Sequence, residues 1–301
     1  MVYLLQAARS RGIGFFCRVK RIRVQARLLD EEMSLDVRIG ARWDDPAQDG
    51  RIKEAFGQGL IDYMEVNYPI PFGPDPLALG IPILAHTSSN PTCSAEGVNL
   101  NVARRVKEGA DSAESPWIGE HLSWLGTAPT GSLGYQINPL FTEEFERLTV
   151  LNVMRLRDYY ARPVALELGP IYIDSTGYPS EMHFLGAVAN DADTKVILDV
   201  THWQIANRNL DRPADYGLDA IDPERIVELH VAGMRQGSDG FWHDAHDLPP
   251  NDEVLAITAG LVRDLPALET VTFEHNSSAP EEEFFRCLQA LNPVVGTARA
   301  A

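Results

Sequence analysis

The stretch Lys195-Val-Ile-Leu-Asp-Val-Thr-His202 is a short, nearly continuous apolar run that closes on ionisable side chains. That is the pattern of a parallel strand buried on both faces. Strand-like segments of the same kind fall at residues 35–41, 63–67, 81–86, 117–121, 164–168, 195–200, 226–231 and 270–275. Amphipathic helical segments lie between them at residues 51–59, 100–107, 143–160, 181–189, 252–265 and 279–291. Thr142 before Glu143 and Glu144 reads as an N-cap, as does Ser180 before the next helix. Strand–helix alternation along the whole chain predicts a single-domain α/β fold, a closed (β/α)8 TIM barrel, over residues 34–295. Barrels of this kind run to about 250 residues. No GxGxxG follows the first strand, which removes the main signature of a dinucleotide-binding sheet.

Residues 1–33 carry a concentration of Arg and Lys interleaved with Ile, Val and Phe. They read as a non-barrel N-terminal extension, either a basic arm or an upstream start with Met33 as the true one. Residues 296–301 read as a tail. The first segment lacks a basic region followed by an apolar block, so a secretory signal is not expected. No apolar run approaches the ~20 residues that cross a bilayer. A net charge of −17 argues against a nucleic-acid-binding surface and against an anionic membrane as partner. Cys17, Cys93 and Cys287 are odd in number and form no CxxC pair. A reducing, cytoplasmic location is therefore expected.

The polar residues within the apolar runs carry the chemistry. The second segment holds Glu65 and Asn67, the third ends at His86, the fourth at Glu120 and His121, and the fifth at Glu167. The sixth holds Asp199 and His202, the seventh Glu228 and His230, and the eighth ends at Glu274 and His275. The long connection at residues 233–250 adds His243, Asp244, His246 and Asp247. In a barrel all strand C-termini meet on one face, so these groups converge. Burying several carboxylates requires counter-charge. Lys and Arg are almost absent from the strand ends as read here. Divalent cations are then the natural partners, and mixed His and carboxylate ligands suit iron, manganese or zinc. Glu65 and Glu228, flanked by apolar residues, also read as hydrogen-bonded structural groups. The run from His243 to Asp247 is equally readable as a solvated loop. Trp124, Tyr172 and Trp203 read as packing residues, or as walls of a substrate cleft.

The ordered motifs Asp-Tyr-Met-Glu-Val-Asn (62–67), Ala-His (85–86), Glu-His-Leu-Ser-Trp (120–124), Leu-Glu (166–167), Leu-Asp-Val-Thr-His (198–202), Glu-Leu-His-Val-Ala-Gly (228–233), Asp-Ala-His-Asp (244–247) and Phe-Glu (273–274) carry a resemblance. Together they resemble the multinuclear non-heme iron-dependent oxidative enzymes, a family that includes the methanobactin biosynthetic enzyme. The likeness covers about residues 39–291. It implies a barrel that holds two or three iron ions and uses O2 to oxidise residues, typically Cys, in ribosomally made precursor peptides. A partner protein often presents the peptide. By motif the implied ligands are His86, His121, Glu167, Asp199, His230, Asp244, His246 and Glu274.

Two positions depart from the family pattern. Where many members have Asp-Val-Asn-Asn, this chain has Asp-Val-Thr-His, so the resemblance leaves His202 either in place of an amide ligand, binding more strongly, or pointing elsewhere. The usual Glu-Asn is here Glu167-Leu168. His202 joins the expected metal set, and catalysis is expected to depend on His86, His202 and Glu274. Two other functions use the same residue types: a sugar isomerase or hydrolase of the xylose-isomerase-like type with Mn or Zn, and a non-catalytic binding protein stabilised by metal.

Overall fold

The protein is described from a computed structural model, which covers residues 37–70, 73, 75–127, 131–174 and 177–299. The expected extension at residues 1–33 lies outside the described residues. Eight strands form the barrel: β1 (Arg38–Trp43), β2 (Tyr63–Asn67), β3 (Ile83–Thr87), β4 (Ile118–His121), β5 (Val164–Glu167), β6 (Lys195–Asp199), β7 (Ile226–Val231) and β8 (Thr270–Phe273). They pair in chain order, all parallel, and β8 closes on β1 with Ile39 opposite Val271. The helices are α1 (Asp49–Gly57), α2 (Leu100–Ser112), α3 (Glu143–Tyr160), α4 (Glu181–Asp191), α5 (Val200–Asn209), α6 (Asp252–Asp264) and α7 (Glu281–Arg299). Between β2 and β3 a 3-10 turn, Pro76–Leu79, stands where the repeat would place a helix. None of the described helices is long and apolar enough to cross a membrane.

The caps act as read. Thr142 Oγ1 accepts from the Phe145 amide at 3.3 Å, and Ser180 Oγ from the His183 amide at 3.4 Å. Three features differ from the reading. The first strand runs on to Trp43, which brings Arg42 onto a strand end. Helix α5 starts directly at the end of β6, with Asp199 as N-cap accepting from the His202 amide at 2.7 Å. His202 therefore sits on a helix's first turn rather than on a strand. The last helix continues to Arg299, past residue 295.

Alternation along the strands sorts the side chains into two layers. Residues such as Ile118, Leu166, Leu198 and Val231 face outward into the core shared with helix residues Val153, Leu156, Phe184 and Val188. Tyr63, Leu84, Trp117, Ala165 and Ile197, together with Val227, form a smaller separate cluster. The first five lie two residues before Glu65, His86, Gly119, Glu167 and Asp199, so they fill the barrel axis one layer below those residues. The interior is a packed plug, as in other barrels. Two antiparallel hairpins leave the C-terminal face: Trp124–Thr127 with Gly131–Ile137 after β4, and Gly233–Gln236 with Trp242–Ala245 after β7.

Candidate metal centre

Glu167, at the end of β5, is the hub. Its Oε2 lies 2.9 Å from Nε2 of His86 and 2.9 Å from Nε2 of His121. Its Oε1 lies 3.5 Å from Nδ1 of His230 and 3.6 Å from Nδ1 of His202. His202 continues the chain of contacts, 3.3 Å from Asp199 Oδ2 through Nδ1 and 3.5 Å from Asp244 Oδ2 through Nε2. His246 Nε2 is 2.7 Å from Asp244 Oδ2 and 3.3 Å from Glu274 Oε2. Four groups have ligand atoms within 4.8 Å of one another: His86, His121 and Glu167; Glu167, Asp199 and His202; His202, Asp244 and His246; and Glu65, His230 and Glu274. All nine residues read from the sequence as candidates thus meet in one continuous cluster.

Several of these atoms are buried without a hydrogen-bond partner: Glu167 Oε1, Asp199 Oδ2, Asp244 Oδ1 and His230 Nδ1. Each such orphan costs about 1–3 kcal/mol. The electrostatics lean the same way. Burial opposes charge on His202, but Asp199 and Asp244 outweigh it and push its pKa up to about 10. Burial pushes Asp199 up to about 7. Glu167 and Glu274 resist burial and are held well below the usual carboxylate range, Glu167 by His121 and His230, Glu274 by Arg42 and then His230. Nitrogen and oxygen donors that are buried, unpartnered and convergent fit a first-row metal ion, which binds in place of the protons.

The sequence profile of the RiPP precursor modification enzyme MbnB/TglH/ChrH family matches residues 63–289, from β2 to the last helix. The chain belongs to this family. RiPPs are ribosomally made, later modified peptides, so the family is one of peptide-modifying enzymes. Among relatives, a UPF0276 protein of Caulobacter vibrioides (strain NA1000 / CB15N) is 29% identical over 210 residues, spanning 66% of this chain and 73% of that protein. The solved xylose isomerase domain protein from Planctomyces limnophilus is similar with a TM-score of 0.57 at 11% identity, covering 88% of this chain and 99% of its own. The structure of the IolI protein with a zinc atom gives 0.55 at 13%, covering 88% and 98%. These two likenesses concern the barrel.

In this MbnB/TglH/ChrH-family barrel, Arg42 and Asn67 join the centre from outside the nine expected ligands. Arg42 is buried, donates through Nη1 to Glu65 Oε1 at 2.9 Å, and also pairs with Glu274 Oε1. It is a basic residue at a strand end that the reading of the first strand as ending at Ala41 left out. Asn67 Oδ1 lies 2.8 Å from His86 Nδ1 and fixes that ring with Nε2 toward Glu167. Other polar residues turn away. Glu120 faces outward to Tyr160 and Asn90. Glu228 is a structural acceptor, from Thr272 at 2.6 Å and Trp117 at 3.1 Å. His275 packs on Phe284 with ring centroids 4.3 Å apart. The hairpin after β7 delivers Asp244 and His246 to the centre, while His243 pairs with Asp239 and Asp247 with Arg235.

Above the centre opens a cleft of about 620 Å³. His121, His202, Asp244, His246 and Glu274 form its floor together with Arg42. Residues 136–141 and 169–174 form its walls. Leu140 and Ile173 on those walls are 63% and 82% exposed, unusual for large apolar side chains. Of the three aromatics noted in the sequence, Tyr172 lines the cleft, Trp203 is buried and Trp124 packs half-buried on the core.

Proposed function

We propose that the chain uses two or three iron ions and O2 to oxidise a ribosomally made precursor peptide, at Cys, and that His86, His121, Glu167, Asp199, His202, His230, Asp244, His246 and Glu274 hold the metal. The observation that carries the reading is Glu167, whose two carboxylate oxygens have four histidines within 3.6 Å. A carboxylate so placed would offer both of its oxygens as donors to bound metal. Bound iron supplies the one-electron redox chemistry and O2 activation that no side chain in this chain provides.

The side chains divide the remaining work. His86, fully buried and fixed by Asn67, holds the floor rigid. His202 and Glu274 both line the cleft and touch the donor cluster, so a group entering from the cleft meets them first. The exposed apolar side chains of Leu140 and Ile173 on the walls suit a peptide side chain better than a polyhydroxylated sugar. The negative charge of the chain favours a basic segment on the peptide, or on a partner protein that presents it.

The test is metal content after anaerobic purification from iron-supplemented cells, followed by O2 exposure under optical and EPR observation. Two or three irons per chain with O2-sensitive spectra are expected. Stoichiometric Zn or Mn that ignores O2 would overturn the reading in favour of an isomerase or hydrolase.

A further inference from the structure

We propose that Arg42 and Glu65 are positioning residues of the metal centre: a built-in buried cation and its carboxylate that orient Glu274 and His230 and keep Glu65 out of the ligand set. The inference rests on the metal-centre reading above. By proximity alone Glu65, His230 and Glu274 are a further place for an ion. A positive charge already stands there. Nη1 of Arg42 donates to Oε1 of Glu65 and to Oε1 of Glu274, so one oxygen of each carboxylate is taken. A second cation among the same three residues would face the guanidinium at short range with little solvent to screen it.

The same clamp gives each remaining atom a direction. With Oε1 on Arg42, Glu274 is left with Oε2 toward His246, 3.3 Å away. Glu65 Oε2 lies 3.0 Å from Nε2 of His230, and Glu228 Oε1 lies 3.4 Å from the same nitrogen. The Glu65 contact is the shortest that either ring nitrogen makes, so Glu65 holds Nε2 and turns Nδ1 the other way. Nδ1 faces Glu167 Oε1 at 3.5 Å and Glu274 Oε1 at 3.4 Å, the side where the donor cluster lies. A carboxylate behind a ligating histidine is the usual support for such a ring. Asn67 plays the same part behind His86, and the Leu168 carbonyl, 3.1 Å from Nδ1, behind His202. Asp44, 3.3 Å from Arg42 Nε, fixes the far side of the guanidinium.

The experiment loads metal-free protein with Co(II) and reads stoichiometry, affinity and the visible d–d spectrum for wild type, Glu65→Gln, Arg42→Lys, Arg42→Met and Glu167→Ala. Glu65→Gln is isosteric and Arg42→Lys keeps the charge, so both report even where Arg42→Met does not fold. Glu65→Gln is expected to keep the wild-type stoichiometry, with affinity about 10–100-fold weaker and a shifted spectrum. Arg42→Lys should restore part of what Arg42→Met loses, while Glu167→Ala loses bound ions outright. Loss of a full metal equivalent in Glu65→Gln would make Glu65 a ligand and overturn the inference. Unchanged affinity and spectrum in both Glu65→Gln and Arg42→Lys would overturn it equally. Wild type that binds no Co(II), Fe(II), Mn(II) or Zn(II) would instead overturn the metal centre, and this inference with it.

Discussion

His202 Nε2 stands 3.5 Å from Oδ2 of Asp244, joining the first turn of α5 to the hairpin that follows β7. The contact brings an imidazole and a carboxylate from different elements to the same place. An imidazole is a better donor than an amide for iron, manganese or zinc, so the group His202, Asp244 and His246 should hold its ion tightly. His202→Ala is expected to remove one metal per chain and leave the others. His202→Asn, which keeps a weaker amide donor, should retain that metal with weaker affinity. Metal analysis after dialysis against a graded chelator checks both. Full retention in His202→Ala would separate His202 from the metal set.

Gly119 makes room for His86. A Cβ built on Gly119 would overlap Cδ2 of His86 and stand 2.9 Å from Cδ1 of Ile197. The ring cannot withdraw, because both of its nitrogens are engaged by Asn67 and Glu167. Gly119→Ala should therefore cost about 1–3 kcal/mol through overpacking and loosen the metal held with His86. Chemical denaturation and metal content together test this, and a fully stable, fully loaded variant would contradict it.

The barrel was legible because the strands are short apolar runs and most are followed by a helix of different period, and a closed parallel sheet needs little else. The candidate ligands were legible because they interrupt those runs at one end. What escaped notice depends on tertiary placement. Arg42 lies one residue past the strand end read at Ala41, and only the closure of β8 onto β1 brings it to Glu274. Helix α5 escaped because Asp199 both ends a strand and caps a helix, with no intervening loop to announce the change. The hairpin after β7 lacks apolar alternation in Gly233-Met-Arg-Gln. Its register, Met234 opposite Asp244, reflects where the chain folds back rather than any local pattern.

Tyr160 supports the outward face of β4. Its hydroxyl donates to Glu120 Oε1 at 2.5 Å, and Asn90 Nδ2 donates to the same oxygen at 2.8 Å. All three residues are fully buried, and Glu120 Oε2 has no hydrogen-bond partner. Tyr160→Phe removes a donor that burial cannot replace with water. A loss of about 1–3 kcal/mol is expected, with metal content unchanged because Glu120 faces away from the centre. Denaturant unfolding beside metal analysis distinguishes this from a catalytic role, which would change activity without changing stability.

Cys93 and Cys287 are buried, and burial pushes each thiol up to about 11. A thiol is reactive as its thiolate, so neither should react at neutral pH in the folded chain. With Cys17 replaced by Ser, thiol titration at pH 8 should find almost no fast-reacting group until denaturant is added. The sign of the linked stability follows from the raised values. An acid group whose folded pKa lies above its unfolded one contributes fully below the unfolded value, about 8.5 for free Cys. That contribution is lost as pH rises toward 11, since the unfolded chain releases the proton first. Cys93→Ala should therefore flatten part of the fall in stability between pH 9 and 11, measured by denaturation at fixed pH. A thiol that reacts within seconds at pH 8 in the folded Cys17→Ser protein would show that one of the two is open to solvent.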